Sequence, residues 1–119
     1  MDRKKARKKA TELVSQMTLA EKASQLRYDA PAIKRLGIPA YNWWNECLHG
    51  VARSGLATVF PQAIGMAAMW DDTMMFNIAD AISDEARAKY NEANQSGQEN
   101  KRFLSLSVWT PNVNIFRDP

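Results

Sequence analysis

The order of the predicted secondary structure constrains the fold of this chain more than any other feature. Residues 41–45 have the character of a short strand, and residues 103–109 alternate apolar and polar side chains as a half-buried strand does. Helical patterns fill much of the sequence between them. A long helical crossover between two strands implies a parallel pair, and such pairs are typical of α/β folds. We therefore expect an α/β fold.

Two helices are predicted before the first strand. Residues 1–17 carry small and apolar side chains at helical spacing, which indicates a basic N-terminal helix with a narrow apolar stripe. Thr18 and Glu21 fit a capping box, in which each side chain accepts a hydrogen bond from the other residue's backbone N–H. A short helix as far as Leu26 should follow.

Two more helices are predicted between the strands. Pro61 suits the first turn of a helix over residues 61–69, and Asp71 and Asp72 are suitable caps for a longer one. Residues 91–101 are polar and predict a loop. The longer helix has an apolar stripe formed by Met75, Ile78 or Ala79, Ile82, Ala86 and Tyr90.

Basic charge is concentrated at the start of the chain. Residues 1–9 have a net charge of +5, although the whole chain has only +3. A basic cluster can bind phosphate backbones, but a solvated helix face explains this one better, and we expect no nucleic-acid partner. No apolar run approaches the ~20 residues of a membrane span. The start of the chain does not read as a secretory signal, because no apolar run follows its basic residues. These features predict a cytoplasmic protein that does not contact a membrane.

Residues 42–50 hold the densest set of reactive and aromatic side chains, including Glu46 and the only histidine, His49. In parallel α/β folds, ligands bind beyond the C-terminal ends of the strands. Glu46 and His49 would lie there after the first strand, and Trp109 would lie there at the end of the second. We therefore expect these residues to face one site.

Two kinds of chemistry fit this cluster poorly. His49 could activate Cys47 as a nucleophile, but a lone cysteine is more often an inert, buried side chain. A metal site built from Cys47, His49 and Glu46 would need a further ligand from elsewhere. We expect neither a metal nor a cofactor.

Sugar binding fits the residue types better. An indole offers a flat apolar wall to a sugar ring, and a carboxylate accepts strong hydrogen bonds from hydroxyl groups. Trp44, Glu46 and Trp109 provide that combination. The alternatives stay open, because Trp43 suits a place in the core and Glu46 could equally be a solvated or salt-bridged surface residue.

The segment 37–52, GIPAYNWWNECLHGVA, closely resembles the start of the N-terminal barrel of family-three glycoside hydrolases, in their β-xylosidase/β-glucosidase branch. Four further segments support the resemblance: 17–22, 58–65, 82–88 and 109–119. Together they cover nearly the whole chain after the basic arm.

The resemblance implies a retaining, exo-acting enzyme whose partner is a β-linked oligosaccharide or aryl glycoside. Glu46 matches an acidic residue that binds glycone hydroxyls in the −1 subsite, and Trp44 and Trp109 match aromatic residues that line it. Four residues match supporting loops of the site: His49, Asn112, Arg117 and Asp118.

The chain departs from the family pattern by its length. A complete (β/α)₈ barrel takes about 250 residues, whereas this chain has 119. We expect an incomplete TIM-barrel portion that contains the first two strands and their crossover helices. The predicted domains are a basic N-terminal helix over residues 1–17 and a truncated barrel domain over residues 18–119. The family's nucleophile and acid/base have no match here, so we expect no catalytic residue in this chain.

Three hypotheses follow. The chain is a glycosidase fragment that is inactive alone, a non-enzymatic sugar-binding or interaction module, or a part that assembles with a separate complementary chain.

Two parallel strands cannot close a barrel and would leave unpaired edges and exposed apolar faces. Self-association is therefore also expected.

Overall fold

A computed structural model describes residues 2–98 and 100–110 of the chain. The chain divides into two compact units, Met1–Asn42 and Trp43–Pro119. Within the described part, no helix has the length and apolar character needed to cross a membrane.

The first unit contains two helices, a 3₁₀ turn and a small sheet. Their bounds are α1 Arg3–Gln16, α2 Leu19–Ser24, β1 Asp29–Ala30, the 3₁₀ turn Lys34–Leu36, and β2 Tyr41–Asn42. The predicted basic helix is α1, which begins where the backbone N–H of Lys4 donates to the Asp2 carboxylate at 2.9 Å. No residue of α1 is buried.

The predicted capping box at the start of α2 is confirmed. The Glu21 N–H donates to the Thr18 hydroxyl at 3.2 Å, and the Thr18 N–H donates to the Glu21 carboxylate at 2.8 Å. Arg35 adds an ion pair to the same carboxylate and donates to the Gln16 carbonyl at 2.8 Å. The Arg35 guanidinium, and then the Thr18 backbone, lower the pKa of Glu21 to about 2.

The strand predicted over residues 41–45 is formed only as β2, and its partner differs from the expectation. β2 pairs antiparallel with β1, so that Asp29 lies opposite Asn42 and Ala30 lies opposite Tyr41. The pair is antiparallel because residues 31–40, which include the 3₁₀ turn, reverse the chain between the two strands.

The second unit contains α3 Ala63–Ala67 and α4 Asp72–Gln95. The Asp71 side chain caps α4 by accepting from the Met74 N–H at 2.8 Å, as its sequence position predicts. α4 continues to Gln95, so the loop predicted from residue 91 begins later. The reason is that Ala93 is buried, and the helix ends only before Gly97, whose φ is +70°.

The second predicted strand, residues 103–109, does not form, and the described residues contain no parallel pair of strands. Phe103 has a φ of +69°, which turns the backbone out of the extended conformation. Single hydrogen bonds replace a ladder: the Phe103 N–H donates to the Trp44 carbonyl at 2.8 Å, and the Trp109 N–H donates to the Asn45 carbonyl at 3.0 Å. The two predicted strand segments are therefore neighbours without being paired strands.

An open apolar groove of about 540 Å³ lies in the second unit, along α4 and α3 and the segment that ends at Thr110. Four of the five residues predicted for the apolar stripe of α4 line it, namely Met75, Ile78, Ile82 and Ala86. The stripe thus faces apolar neighbours, as expected: Ile78 is buried, and the other three are partly exposed along the groove.

We expect the first unit to lose stability as the pH falls from about 4.5 toward 2. Glu21 has a lowered pKa in the folded chain, so its contribution is complete above the unfolded value of 4.5 and disappears as the folded carboxylate is protonated. Amide-exchange protection of residues 18–24, measured against pH, tests this. Glu21→Gln should remove the pH dependence.

The matched control is Glu12→Gln, because Glu12 forms no ion pair with any described residue. An unchanged pH profile in Glu21→Gln would contradict the assignment of this stability to the Glu21 carboxylate.

Candidate functional site

Three tryptophans form one aromatic cluster in the second unit. The rings of Trp43 and Trp109 are stacked with centroids 4.8 Å apart and planes within 5°, and the ring of Trp44 lies 6.3 Å from that of Trp109. Trp44 is 46% exposed and Trp109 is 61% exposed. The structure therefore brings together the two predicted site tryptophans and leaves both accessible to a ligand.

Trp43 is also part of this cluster, although composition favoured a place in the core. It is half-buried and supports Trp109 from one face. In the sequence, only the adjacent pair Trp43-Trp44 indicates that Trp43 belongs to the aromatic cluster. In an extended segment, however, adjacent side chains point to opposite faces, so adjacency alone could not predict that both rings meet Trp109.

The backbone around the cluster is fixed by Asn45, which sequence reasoning did not assign to the site. Its side chain is 3% exposed and donates to the Ser105 carbonyl at 2.6 Å. The same side chain accepts from the Glu46 N–H at 2.9 Å. Since a buried amide must be hydrogen-bonded, this residue fixes the path of both neighbouring segments.

Glu46 follows Asn45, whose carbonyl accepts from the Trp109 N–H at 3.0 Å, and the Glu46 side chain is 45% exposed. One carboxylate oxygen, Oε2, is 3.9 Å from Nε of Arg53. The Glu46 carbonyl accepts from the Ala52 N–H at 3.0 Å, which closes the turn that carries Arg53 back toward the carboxylate. Glu46 is thus both salt-bridged and accessible.

Two guanidinium groups lie over rings of the same region. Arg53 is 5.4 Å from the centroid of the Phe103 ring, and Arg102 is 5.6 Å from that of Trp44. Both distances are typical of cation–π interactions. The aromatic and acidic surface therefore has a basic border.

His49 connects two parts of the backbone rather than facing a reactive group. Its Nδ1 lies 3.0 Å from the Phe60 carbonyl oxygen, and its own carbonyl accepts from the Phe60 N–H at 2.8 Å. This geometry suits the loop-holding role that the family resemblance implies for His49.

The neighbouring Gly50 allows a close backbone approach. Its φ is +124°, and a Cβ atom there would lie 2.2 Å from the Thr58 carbonyl oxygen. Only glycine fits this position without a backbone shift.

Cys47 is unsuited to nucleophilic chemistry. It is 3% exposed, and burial, followed by the nearby Glu46 charge, raises the pKa of its thiol. A protonated, buried thiol is a weak nucleophile. In the part of the chain that the structure describes, no group of three acidic, histidine or cysteine side chains could hold a metal ion.

Three of the predicted supporting residues, Asn112, Arg117 and Asp118, lie outside the described residues. The described residues of the site provide a flat aromatic wall, an accessible carboxylate and basic neighbours. These groups can bind a polyhydroxylated ring by stacking and by hydrogen bonds to its hydroxyls.

Gly50→Ala should lower the free energy of unfolding by about 3 kcal/mol, since the added Cβ meets backbone and φ is unfavourable. Gly55→Ala is the matched control. Gly55 has a φ of +74°, but a Cβ added there would have no neighbouring atom within 4 Å, so only a conformational cost of about 1 kcal/mol is expected. Urea denaturation of both variants measures the difference, and equal losses would contradict the close approach at Gly50.

The chain is similar to part of several β-xylosidases. It is 48% identical over 115 residues to a xylan 1,4-beta-xylosidase of Xylanibacter ruminicola, covering 96% of the chain and 13% of that protein. It is 48% identical over 122 residues to a probable beta-D-xylosidase 7 of Arabidopsis thaliana, covering 94% of the chain and 15% of the relative. A probable exo-1,4-beta-xylosidase of Aspergillus fumigatus is 42% identical over 121 residues, with coverage of 92% and 14%.

The chain thus spans only about one seventh of the length of these curated relatives. No protein-family model matches the chain.

Proposed function

We propose that this chain, which belongs to the glycoside hydrolase family of these β-xylosidases, supplies part of a glycone (−1) subsite for a β-linked xylosyl residue. The chain corresponds to the N-terminal part of a larger enzyme of that family. The observation that carries the proposal is the stacked, exposed pair of Trp44 and Trp109 together with the accessible Glu46 carboxylate. Glu46 is the residue after Asn45, whose carbonyl accepts a hydrogen bond from the Trp109 N–H.

The chemistry of a pyranose ring matches this surface. Its C–H faces are apolar and can stack on the indole of Trp109, which Trp43 supports from behind. Its hydroxyls can donate to the Glu46 carboxylate, and hydrogen bonds to an ionised acceptor are stronger than those to a neutral one. Binding and orientation of the glycone are therefore the contribution of this segment.

Under this proposal, the segment does not provide the two carboxyl groups that hydrolysis needs. Retention of configuration requires two carboxyl groups about 5–5.5 Å apart, one as nucleophile and one as acid and base. No Asp or Glu of this chain matches either position in the family resemblance. The 119 residues by themselves should bind a sugar without cleaving it.

The proposal also retains the incomplete barrel as the architecture of this segment. In that arrangement, residues 41–45 and 103–109 would become neighbouring parallel strands. Their closeness is supported by the hydrogen bonds from Phe103 to Trp44 and from Trp109 to Asn45. Further strands would be needed to turn these single bonds into a ladder.

Glu46→Gln should weaken xylose binding by the 119-residue chain about tenfold, because neutral amide acceptors lose the charge-assisted bonds to hydroxyls. Isothermal titration calorimetry or chemical-shift titration with xylose and glucose measures the effect. Glu12→Gln is the matched control, since Glu12 is exposed on α1 and belongs to the first unit, whereas the aromatic cluster belongs to the second.

Two results would contradict the proposal. Equal binding by the Glu46→Gln variant and the unaltered chain would remove Glu46 from the subsite. Turnover of an aryl β-xyloside by the unaltered chain, lost in Glu46→Gln, would show that the 119 residues are catalytic and not only a binding segment.

The open groove along α4 favours a second proposal, that the 119-residue chain self-associates through this surface. The groove is lined almost wholly by apolar side chains, among them Met75, Ile78 and Ile82. Contiguous apolar surface that solvent can reach is a common site of association with another molecule. A second copy of the chain is the partner always available at high protein concentration.

Ile82→Glu should therefore shift the mass measured by light scattering toward the 13.5 kDa of one chain. Ala81→Glu is the matched control, because Ala81 is exposed on α4 and does not line the groove. A sharp, reversible melting transition of a monomer in the unaltered chain would count against self-association.

A further inference from the structure

We propose that Arg53 is a positioning residue for Glu46, so that it sets which carboxylate oxygen receives the sugar hydroxyls. This inference rests on the proposed function of Glu46. It concerns a residue that the sequence pattern did not single out.

The contact itself is an ion pair on one oxygen only. Arg53 Nε lies 3.9 Å from Oε2 of Glu46, and no other cation of the described residues pairs with this carboxylate. The terminal torsion of a glutamate side chain is broad and nearly two-fold, so its two oxygens normally exchange roles. A cation beside Oε2 removes that equivalence and leaves Oε1 as the acceptor for a ligand hydroxyl.

The backbone of Arg53 is strained in a way that favours this contact. Its φ is +61°, a left-handed conformation that is unfavourable for a residue with a side chain. Such strain persists only where the surroundings enforce it, and it is concentrated at functional sites. The ring under the guanidinium belongs to Phe103, whose φ of +69° is also left-handed.

Hydrogen bonds join these two strained residues to the aromatic cluster. The Ser54 hydroxyl donates to the Phe103 carbonyl, and the Phe103 N–H donates to the Trp44 carbonyl at 2.8 Å. A continuous path therefore runs from Arg53 through Phe103 to Trp44, two residues before Glu46. The backbone segments that carry the guanidinium and the carboxylate lie at the two ends of this path.

The loop that carries Arg53 is also attached to α4. Lys89 Nζ donates to the Ser54 carbonyl at 2.7 Å and to the Leu56 carbonyl at 2.6 Å. The Glu85 carboxylate accepts from the Thr58 hydroxyl at 2.6 Å and from the Thr58 N–H. One rigid helix thus holds both ends of the loop from Ser54 to Thr58.

An exposed ion pair adds little to stability by itself, and the Arg53 and Glu46 side chains are 68% and 45% exposed. A planar guanidinium that already stacks on a ring loses less freedom on pairing than a flexible ammonium group would. The role of Arg53 is therefore orientation of the carboxylate, with little effect on folding.

The test uses the full 119-residue chain and the variant Arg53→Met, which removes the charge and keeps an unbranched side chain. We expect xylose binding to weaken about fivefold, because a carboxylate that Arg53 no longer orients must be ordered when the sugar binds. Arg27→Met is the matched control: Arg27 is 67% exposed and pairs with Asp29 at 2.9 Å, so an equivalent ion pair is lost elsewhere. That variant should bind xylose as the unaltered chain does.

A double variant separates positioning from direct contact with the sugar. If Arg53 acts through Glu46, Arg53→Met has no further effect on xylose affinity once Glu46→Gln is present. An undiminished fivefold loss in that background would overturn the proposal, because Arg53 would then act on the sugar independently of Glu46. Unchanged affinity in Arg53→Met alone would also overturn it.

A measurement without sugar distinguishes failure of this inference from failure of the proposed function. The NMR signal of Arg53 Nε–H should move on Glu46→Gln, whereas that of Arg27 should not. A stationary Arg53 signal overturns the pairing whatever the sugar affinity is. Absence of xylose binding by the unaltered chain, with a moving Arg53 signal, overturns the proposed function and leaves the pairing established.

Discussion

The site depends first on the buried amide of Asn45. An amide in an apolar environment costs free energy unless its donors and acceptor are satisfied, and this one donates to the Ser105 carbonyl and accepts from the Glu46 N–H. The Asn45 carbonyl accepts from Trp109 as well. A single residue thereby fixes the carboxylate-bearing segment against the segment that delivers the exposed indole.

A second set of contacts orders the loop on the other side of Glu46. Glu85 and Lys89 lie one helical turn apart on α4 and hold the backbone of Thr58, Ser54 and Leu56. Gly50 permits the close approach of that loop's end, because no side chain intervenes. The long helix therefore acts as a rigid support for a surface that is itself irregular, and the surface can stay exposed without losing its geometry.

The sequence predicted local features well and pairings less well. The Thr18 capping box, the Asp71 cap and the apolar stripe of α4 are confirmed, because each depends on residues within a few positions of one another. The strand over residues 103–109 is absent from the structure, although its alternation was regular. Alternation records which faces are apolar, whereas a ladder also needs a partner strand and a backbone free of left-handed turns such as that at Phe103.

In the candidate site, too, the residue types could be predicted from the sequence, whereas contacts between distant residues could not. The residue types by themselves pointed to Trp44, Glu46 and Trp109 as a sugar-binding set, since stacking surfaces and carboxylates are recognisable from composition and motif. Trp43, Asn45 and Arg53 gained their places only from the tertiary structure. Their roles arise from contacts with residues distant in the chain and from a left-handed backbone at Arg53, and neither property is encoded in a local pattern. The sequence determined the chemistry available to the site, and the three-dimensional packing decided which groups hold that chemistry in position.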